Sequence, residues 1–410
     1  MKVLYFHQHF SSPSGSTGIR SYGMSRCLID RGHEVTLICG SYLGSDTGLV
    51  GPFTKGRRRG VVDGIDVIEF ELAYANTDGF LKRTRTFFKY VLGGLRLVFT
   101  EKYDLVFATT TPLTAGIPGI VARWFKNKPF VFEVRDLWPE IPKAMGVITN
   151  PVILGLMSTL EWASYRSAHR VIALSPGIFK GIEKRGIAMD KISLIPNGCD
   201  LDIFDTKVKA WRPDKIKDSD LLVLFAGTHG IANGLDGVID VASELKSRDM
   251  HEIKFLFLGQ GMLKQPLIDR VIGEGLDNVV FHEPVDKRRL AGLMSSTDIG
   301  LQILANIPAF YYGTSPNKFF DYISAGVPVL NNYPGWLAEL IEANGCGFAV
   351  PPEDPIIFAD VLEKALGNRQ DLKVKGSKAR ELALKKFDRK ILASQWAKNL
   401  EAVYREEVKK

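Results

Sequence analysis

The amino-acid sequence predicts an α/β protein with two doubly wound, Rossmann-like domains in tandem. Three observations predict this fold class: the length of 410 residues, a composition with 45% hydrophobic and 24% charged residues, and short apolar runs that alternate with longer amphipathic stretches. Alternation of this kind is typical of parallel βαβ units. The composition excludes disordered and fibrous proteins, and the length suits two domains.

The predicted strands form two series, in which helix-sized segments such as Ser21–Arg31 separate several of the strands. The first series is Val3–Phe6, Val35–Cys39, Val67–Phe70, Leu105–Ala108, Phe130–Glu133 and Val171–Leu174. The second series is Leu221–Phe225, Phe255–Leu258, Val279–Phe281, Ile299–Ile303 and Val327–Leu330. Because the pattern restarts in the middle of the chain, two sheets fit it better than one large sheet.

The turn-rich segment Pro196-Asn197-Gly198 predicts the domain boundary. We therefore expect a first domain over residues 1–196, a second over residues 197–386, and a C-terminal helix over residues 387–410 that packs back on the first domain. Ligands of open α/β sheets bind outside the carboxyl ends of the strands. A central cleft that both domains face is the expected site.

The formal net charge of +7 comes entirely from the front of the chain. Residues 1–170 hold 21 basic and 14 acidic residues, and the remaining 240 residues hold 32 of each. This asymmetry predicts an anionic partner for the first domain. The four cysteines are far apart and lack CxxC spacing, which indicates reduced packing residues of a cytosolic protein. We expect neither a signal peptide nor a membrane-spanning helix.

A glycine-rich turn follows the first strand of each series. In the first domain, Gly15 and Gly18 lead into a helix that opens with Arg20. In the second domain the turn is Gly227-Thr228-His229-Gly230. Such turns bring a phosphate close to the N–H groups at a helix start, so we predict donor-binding roles for these residues. Ordinary βα loops are the alternative.

The segment from Ser315 to Val329 predicts a helix with Ser315 as N-cap and Pro316 in the first turn. Asn317 and Lys318 would follow in that turn, where a cation opposes the helix dipole unless an anion such as a diphosphate binds there. Asp321 would lie nearly one turn further on and accept from two adjacent ribose hydroxyls. A surface ion pair between Lys318 and Asp321 is the alternative.

Glu133, Arg135 and Asp136 end a strand of the first domain beside a Trp-Pro turn. This charge density suits substrate hydroxyls or general-base chemistry, so we predict catalytic roles for the three residues on the acceptor side. A structural salt-bridge cluster is the alternative. His7 and His9 are interpreted as pocket lining, and no metal is predicted, because no third ligand has suitable spacing.

Two features carry the basic excess of the first domain. The run Lys55–Arg59 is predicted as a loop, and residues 81–100 as a basic amphipathic helix in which Gly93-Gly94 argues against an uninterrupted course. Such a helix is typical of a membrane surface; a core-packed helix with a solvated basic face is the alternative. No motif supports nucleic acid. The predicted membrane and acceptor contacts are Arg57, Arg58, Lys82, Arg85, Phe88 and Lys89.

The chain resembles the retaining GT-B glycosyltransferases of family four, most of all the bacterial branch that builds O-antigen and capsule repeat units and includes N-acetylfucosamine transferases. The motifs that carry the resemblance span nearly the whole chain: Pro316–Val329, Arg31–Val35, Leu174–Pro176, Ile195–Gly198, Asp136–Glu140 and the closing Phe387–Tyr404.

The resemblance implies a GT-B architecture with a UDP-sugar held mainly by the second domain, no metal or other cofactor, and retention of the anomeric configuration. It implies a lipid-diphosphate-linked glycan as acceptor and a peripheral location at the cytoplasmic face of the cell membrane, in lipopolysaccharide or capsule biosynthesis. Asp321 matches the second glutamate of the family's E-x7-E motif, which holds the ribose.

The chain also departs from the family's pattern. The first glutamate of E-x7-E falls at Gly313, Arg135 stands where many relatives carry histidine, and Thr228 and Asn233 replace the usual phosphate clamp of Arg and Lys. Transfer of a sugar, such as an N-acetylated hexose, remains the first hypothesis. A UDP-sugar 2-epimerase of the same fold, which needs no acceptor, is the second. A non-catalytic nucleotide- or nucleic-acid-binding protein is the third.

Overall fold

The computed structural model describes residues 1–42, 44–74, 78–204 and 208–408. The chain divides into two compact units, each built around its own sheet. The first unit comprises three segments and the second comprises two. The first consists of Met1–Asn197, Tyr312–Ser315 and the chain from Arg389 onward, and the second of Gly198–Tyr311 and Pro316–Asp388.

The sheet of the first unit has eight strands. They are β1 (Lys2–Phe6), β2 (Glu34–Tyr42), β3 (Arg57–Val62), β4 (Ile65–Tyr74), β5 (Leu105–Thr109), β6 (Phe130–Val134), β7 (Arg170–Ala173) and β8 (Ile192–Leu194). Their order is β3-β4-β2-β1-β5-β6-β7-β8, and only the β3–β4 pair is antiparallel. β5 and β6 are buried throughout, as expected where helices cover both faces of a parallel sheet.

The helices that join these strands are α1 (Arg20–Asp30), α2 (Phe80–Thr100), α3 (Gly116–Phe125), α4 (Glu140–Ala144), α5 (Pro151–Ser167) and α6 (Pro176–Lys184). Contrary to expectation, α2 continues through Gly93 and Gly94. The two glycines let the helix approach the sheet closely, since a Cβ on Gly93 would lie 2.7 Å from Cζ of Phe70 and one on Gly94 would lie 3.0 Å from Cε1 of Phe6.

The sheet of the second unit has six strands, all parallel to their neighbours. They are β9 (Leu221–Ala226), β10 (Ile253–Leu258), β11 (Val279–His282), β12 (Ile299–Gln302), β13 (Val329–Asn331) and β14 (Gly347–Ala349), in the order β11-β10-β9-β12-β13-β14. The two units therefore confirm the predicted fold class of two Rossmann-like α/β domains.

The following helices are α7 (Asp236–Ser247), α8 (Lys264–Gly273), α9 (Lys287–Met294), α10 (Pro308–Gly313), α11 (Asn317–Ser324), α12 (Trp336–Asn344), α13 (Pro355–Gly367) and α14 (Arg369–Lys386). In one hydrophobic cluster of this unit, Val238, Val241 and Leu245 of α7 and Phe358 of α13 join the apolar side chains of the strands.

The last helix, α15 (Arg389–Val408), belongs to the first unit. Its Trp396 ring stacks on Tyr5 at a centroid distance of 5.9 Å and meets Phe107 edge-on at 4.8 Å. Glu401 of the same helix accepts two hydrogen bonds of 2.7 Å from Arg31. These bonds lower the pKa of Glu401 to about 2. One use of the Arg31–Val35 motif is thus to hold the C-terminal helix.

Three strands were absent from the sequence prediction. The basic run at Arg57 is not a loop: β3 pairs with β4, because Arg58 reaches Glu69 (2.8 Å) and Arg59 reaches Asp66 on that neighbouring strand. Strands β8 and β14 were missed because each has only three residues. Among the described residues, no helix is both long and apolar enough to cross a membrane.

Candidate functional site

The second unit presents a glycine-rich turn at the carboxyl end of β9, its central strand. Two N–H groups of the turn are used inside the fold: Gly227 donates to the Leu258 carbonyl and His229 to the Gln260 carbonyl, each at 2.9 Å. The other two N–H groups of the turn, those of Thr228 and Gly230, have no acceptor among the residues that the structure describes. The turn therefore offers two backbone donors to a ligand.

Gly259 and Gly261, in the loop after β10, make this arrangement possible. A Cβ on Gly259 would lie 1.9 Å from the carbonyl oxygen of Gly227, and one on Gly261 would lie 2.2 Å from that of His229. Neither glycine was predicted from the sequence to belong to the site. Their Gly-x-Gly spacing directly after a strand was the available signal.

Lys318 lies in the first turn of α11 and faces the glycine-rich turn. Its Nζ donates to Oδ1 of Asn233 (2.8 Å) and lies 4.0 Å from the centroid of the Phe225 ring. Within the described part of the chain, no carboxylate forms an ion pair with it. Burial lowers the pKa of Lys318 to about 7. Its position in the helix N-terminal turn, beside two unused backbone donors, fits a phosphate group.

The structure corrects the predicted donor-binding role of His229. Its side chain is fully buried in an aromatic cluster, with the ring centroids of Phe225, Phe257 and Phe281 about 6 Å away. Its backbone is used as well, because its carbonyl accepts from the Leu263 N–H at 3.0 Å. Burial, aided by the charges of nearby lysines, lowers the pKa of His229 to about 4. His229 is therefore a neutral packing residue.

Asp321 forms a buried ion pair, although not with the predicted neighbour. Its Oδ2 lies 2.6 Å from Nζ of Lys287, the first residue of α9, and Lys318 is not its partner. Asp286 caps α9 by accepting from two N–H groups of the first turn, and this cap positions Lys287 toward α11. The Lys287 ammonium also lies 5.7 Å from the Phe204 ring. Lys287 was not predicted from the sequence, because 34 residues separate it from Asp321.

The start of α11 differs from the prediction. The helix begins at Asn317, Pro316 is its N-cap, and no side chain caps it. Ser315 instead accepts from the Asn197 N–H at 3.1 Å within the first unit. The first-turn N–H groups of α11 therefore lack the predicted serine cap, while half-buried Asn317 and Lys318 lie at its opening.

In the first unit, Arg20 and Glu133 neutralise one another. The Arg20 guanidinium donates to the Glu133 carboxylate through Nη2 (2.8 Å) and Nε (3.1 Å), and both side chains are buried. Arg20 also donates to the carbonyls of Ile195 and Pro196, and Glu133 accepts from Thr109 (2.9 Å). The structure corrects the donor role predicted for Arg20 and the catalytic role predicted for Glu133. The polar atoms of both side chains are occupied by hydrogen bonds to each other and to neighbouring residues of the same unit.

The Gly15–Gly18 turn packs against a neighbouring loop. The Ser16 N–H donates to the Gly44 carbonyl (2.9 Å), and a Cβ on Gly15 would lie 2.2 Å from Oγ of Ser11. Close packing accounts for Gly15, whereas half-buried Gly18 directly precedes the uncapped start of α1. The donor-binding role of this turn stays a prediction.

Arg135 and Asp136 lie at the carboxyl end of β6 beside His7. Nη1 of Arg135 is 3.1 Å from Nε2 of His7, and Asp136 accepts from the Thr111 hydroxyl at 3.1 Å. Burial lowers the pKa of Arg135 and raises that of Asp136. No carboxylate in the described ranges comes within ion-pair distance of Arg135. A half-buried guanidinium without an ion-pair partner can bind an anionic or hydroxyl-rich ligand.

His7 and His9 lie on either side of Gln8 at the end of β1. The His9 ring packs on Tyr42 at a centroid distance of 4.9 Å, and burial, together with Arg135 and Arg83, lowers the pKa of His9 to about 3. The buried Gln8 amide has no partner for either polar atom among the described residues, and it was not predicted from the sequence as a site residue. No three described His, Cys, Asp or Glu side chains are close enough to hold a metal ion.

Comparison with known proteins shows the family. Residues 15–198 match the family described as "Glycosyl transferase 4-like domain", and residues 208–382 match "Glycosyl transferases group 1". The chain belongs to the group 1 glycosyltransferases. Two curated relatives agree. The D-inositol 3-phosphate glycosyltransferase of Xylanimonas cellulosilytica is 27% identical over 203 residues, only 45% of either chain. An uncharacterized glycosyltransferase of Methanocaldococcus jannaschii is 26% identical over 364 residues, 86% of each.

Solved structures extend the comparison to the whole glycosyltransferase. Anabaena HepE, determined in complex with UDP and glucose, superimposes with a TM-score of 0.69 at 18% identity. The match covers 98% of this chain and 100% of HepE. At this identity the likeness shows the shared GT-B fold.

The predicted membrane contacts of the glycosyltransferase divide into two groups. Arg58 is paired with Glu69 (2.8 Å) on the sheet edge, and Lys82 is paired with Asp78 (2.7 Å). Arg57, Arg85 and Lys89 are exposed, as is Phe88. The basic side chains of α2 therefore lie at the surface, whereas the basic run of β3 is partly neutralised.

Proposed function

We propose that this glycosyltransferase moves a sugar, such as an N-acetylated hexose, from a UDP-sugar to a polyprenyl-diphosphate-linked saccharide. Lys318 carries the proposal. It is a half-buried cation in a helix first turn, has no described carboxylate partner, and faces the two unused N–H groups of Thr228 and Gly230. A diphosphate supplies the missing negative charge. The UDP-glucose complex of Anabaena HepE supports a uridine nucleotide.

In the proposed reaction, the chief catalytic contribution is stabilisation of the leaving diphosphate. Charge develops on that group as the bond to the sugar breaks, and donors already in place stabilise it without reorganisation. Lys318 and the backbone N–H groups of the turn would supply those donors, so the reaction needs no metal. Asp321, held by Lys287, would accept from the ribose hydroxyls.

The proposed acceptor site is the cluster at the carboxyl ends of β1 and β6. Arg135 and Asp136 would contact the acceptor, and His7 and Gln8 would line the site. Retention of the anomeric configuration, a role in O-antigen or capsule biosynthesis, and a location at the cytoplasmic membrane face are parts of this proposal. Exposed Arg85 and Lys89 of α2 support the location, because basic residues attract anionic lipid.

The proposal is tested by separating donor binding from transfer. UDP-sugars should raise the midpoint of thermal unfolding, since a ligand at 100 times its Kd adds about 2.7 kcal/mol to stability. ADP- and GDP-sugars at equal concentration are the control. A transferred sugar should then appear only when a lipid-diphosphate-linked saccharide is added. Epimerised UDP-sugar in the absence of acceptor would overturn the proposal in favour of a 2-epimerase.

A further inference from the structure

Residues 143–160 form a largely apolar segment of the surface, in which seven residues are half-buried and the rest are exposed. They comprise the end of α4, the following loop and the first ten residues of α5, and we name them the apolar tip. None of them is buried, and Lys143 is their only charged residue. Val147, Val152 and Leu156 are 51%, 69% and 67% exposed.

The fully buried residues of α5 differ from those of an ordinary surface helix, although apolar Ile153, Leu154 and Met157 are half-buried. Its buried residues are Glu161, Ser164, Tyr165 and Ser167, all of them polar or phenolic. Glu161 is held inside the unit by Nη2 of Arg185 at 3.0 Å. A helix in water normally turns its apolar side chains to the core and its polar ones outward. The start of α5 is therefore suited to an apolar medium.

The tip is an ordered helix start. Asn150 caps α5 by accepting from the N–H groups of Val152 (2.9 Å) and Ile153 (3.3 Å), and Pro151 occupies the first helical position. Both features favour a formed first turn. Val152 and Leu156, four residues apart, lie on the same side of this helix and are both exposed.

Basic residues lie on the same helical layer. Helix α2 packs against α3, which packs against α5, and Nε1 of Trp124 on α3 donates to the Ser167 hydroxyl of α5 at 2.9 Å. Exposed Arg85, Lys89 and Arg96 lie on α2. Trp162, the second residue after the tip, is exposed as well.

We propose that the apolar tip inserts into the boundary between headgroups and hydrocarbon of an anionic bilayer, while the basic residues of α2 face lipid phosphates. The tip contains no aromatic residue and no arginine, the residues that anchor most protein interfaces, and no acidic residue that would repel anionic lipid. Exposed Trp162 suits the headgroup level. The inference rests on the proposed function only for its membrane-bound acceptor and requires no sugar chemistry.

Sedimentation with lipid vesicles tests this inference on the full chain. The variant Val152→Glu/Leu156→Glu should bind vesicles of one part phosphatidylglycerol to three parts phosphatidylcholine about tenfold or more weakly than wild type, because apolar burial drives interfacial binding. Val61→Glu is the matched control, since Val61 lies on the β3 edge strand of the same unit and is 73% exposed. Thermal unfolding midpoints should agree among the three proteins.

Unchanged vesicle binding by the double variant, or an equal loss in Val61→Glu, overturns the inference. A wild-type dimer that the double variant converts to monomer also overturns it, because the tip would then contact a second copy. Transfer to a short-chain, water-soluble acceptor should be the same in all three proteins. If wild type transfers no sugar while vesicle binding still depends on the tip, the proposed function fails and this inference stands.

Discussion

The two units place a cation in the same local position but treat it differently. Arg20 is the first residue of α1 in the first unit, and Lys318 lies in the first turn of α11 in the second. Both oppose their helix dipoles. Arg20 is neutralised by the buried carboxylate of Glu133, whereas Lys318 meets only the Asn233 amide and the Phe225 ring among described residues.

This difference separates a structural cation from the cation that we propose binds the ligand. A buried charge is costly unless it is paired. Arg20 obtains its counter-charge from the fold, so the fold depends on it. Lys318 obtains none, and burial shifts its pKa instead. In the proposed function a ligand supplies its counter-charge, and this contrast distinguishes two motifs that look alike in the sequence.

The largest expected effect is the loss of the Arg20 pair. The variant Arg20→Met leaves the Glu133 carboxylate buried without its counter-charge, and breaking such a pair typically costs about 3–5 kcal/mol. We expect the denaturant midpoint of unfolding to fall accordingly. Arg57→Met, at an exposed arginine of the same unit, should stay within about 0.5 kcal/mol of wild type. Equal stability of Arg20→Met and wild type would contradict the comparison.

Lys318→Met should show the opposite behaviour. It removes an uncompensated, half-buried charge, so we expect the unfolding midpoint to be maintained or raised. Transfer from a UDP-sugar should fall about 10²–10³-fold, as for loss of one donor to a developing oxyanion. Initial-rate assays and thermal unfolding measure the two effects. Lys385→Met, at an exposed lysine of the same unit, should change neither. A destabilised Lys318→Met with normal activity would reverse the assignment.

Much of the fold could be predicted from the sequence, because hydrophobic periodicity is a local property. Each strand of the two predicted series is present in the structure. Strand β3 was missed because its arginines resemble a loop until their partners on β4 are known. The burial pattern of α5 was also invisible, because an apolar helix start normally indicates a core helix.

The candidate site was less predictable, because side-chain direction depends on tertiary packing. Lys318 and Asp321 were correctly singled out as residues of one helix, but the Lys287 partner of Asp321 lies on another helix. His229 was assigned to the ligand because it sits in a glycine-rich turn, and its ring instead enters an aromatic cluster. Sequence spacing identified the turns, and only the structure shows which atoms they leave unused.

The Lys287–Asp321 pair gives a smaller effect that sharpens the comparison. Unlike Arg20–Glu133, this pair would contact the ligand, by presenting the Asp321 carboxylate to the ribose. We expect Lys287→Met to reduce the preference for UDP over 2′-deoxy-UDP from about fivefold to little or none, since a lost hydrogen bond is worth about 1 kcal/mol. Titration calorimetry with both nucleotides measures it, and Lys287→Arg should restore part of the preference. An unchanged preference would make the pair purely structural.

The smallest effect is a proton taken up on ligand binding. Burial lowers the pKa of Lys318 to about 7, so at pH 8 the amine of the unliganded protein is mostly neutral. A bound diphosphate favours the ammonium and raises that pKa. UDP binding at pH 8 should therefore take up most of one proton, and binding at pH 6 should take up very little. Calorimetry in buffers of different ionisation enthalpy measures the uptake, which Lys318→Met should abolish.

The same lowered pKa affects the stability of the unliganded protein. Between about pH 7 and the ordinary lysine pKa of 10.5, the unfolded state binds more protons at Lys318 than the folded state does. In this window wild type should lose stability relative to Lys318→Met as the pH falls. Proton uptake that persists in Lys318→Met would assign the titration to another group and leave Lys318 without its distinguishing property.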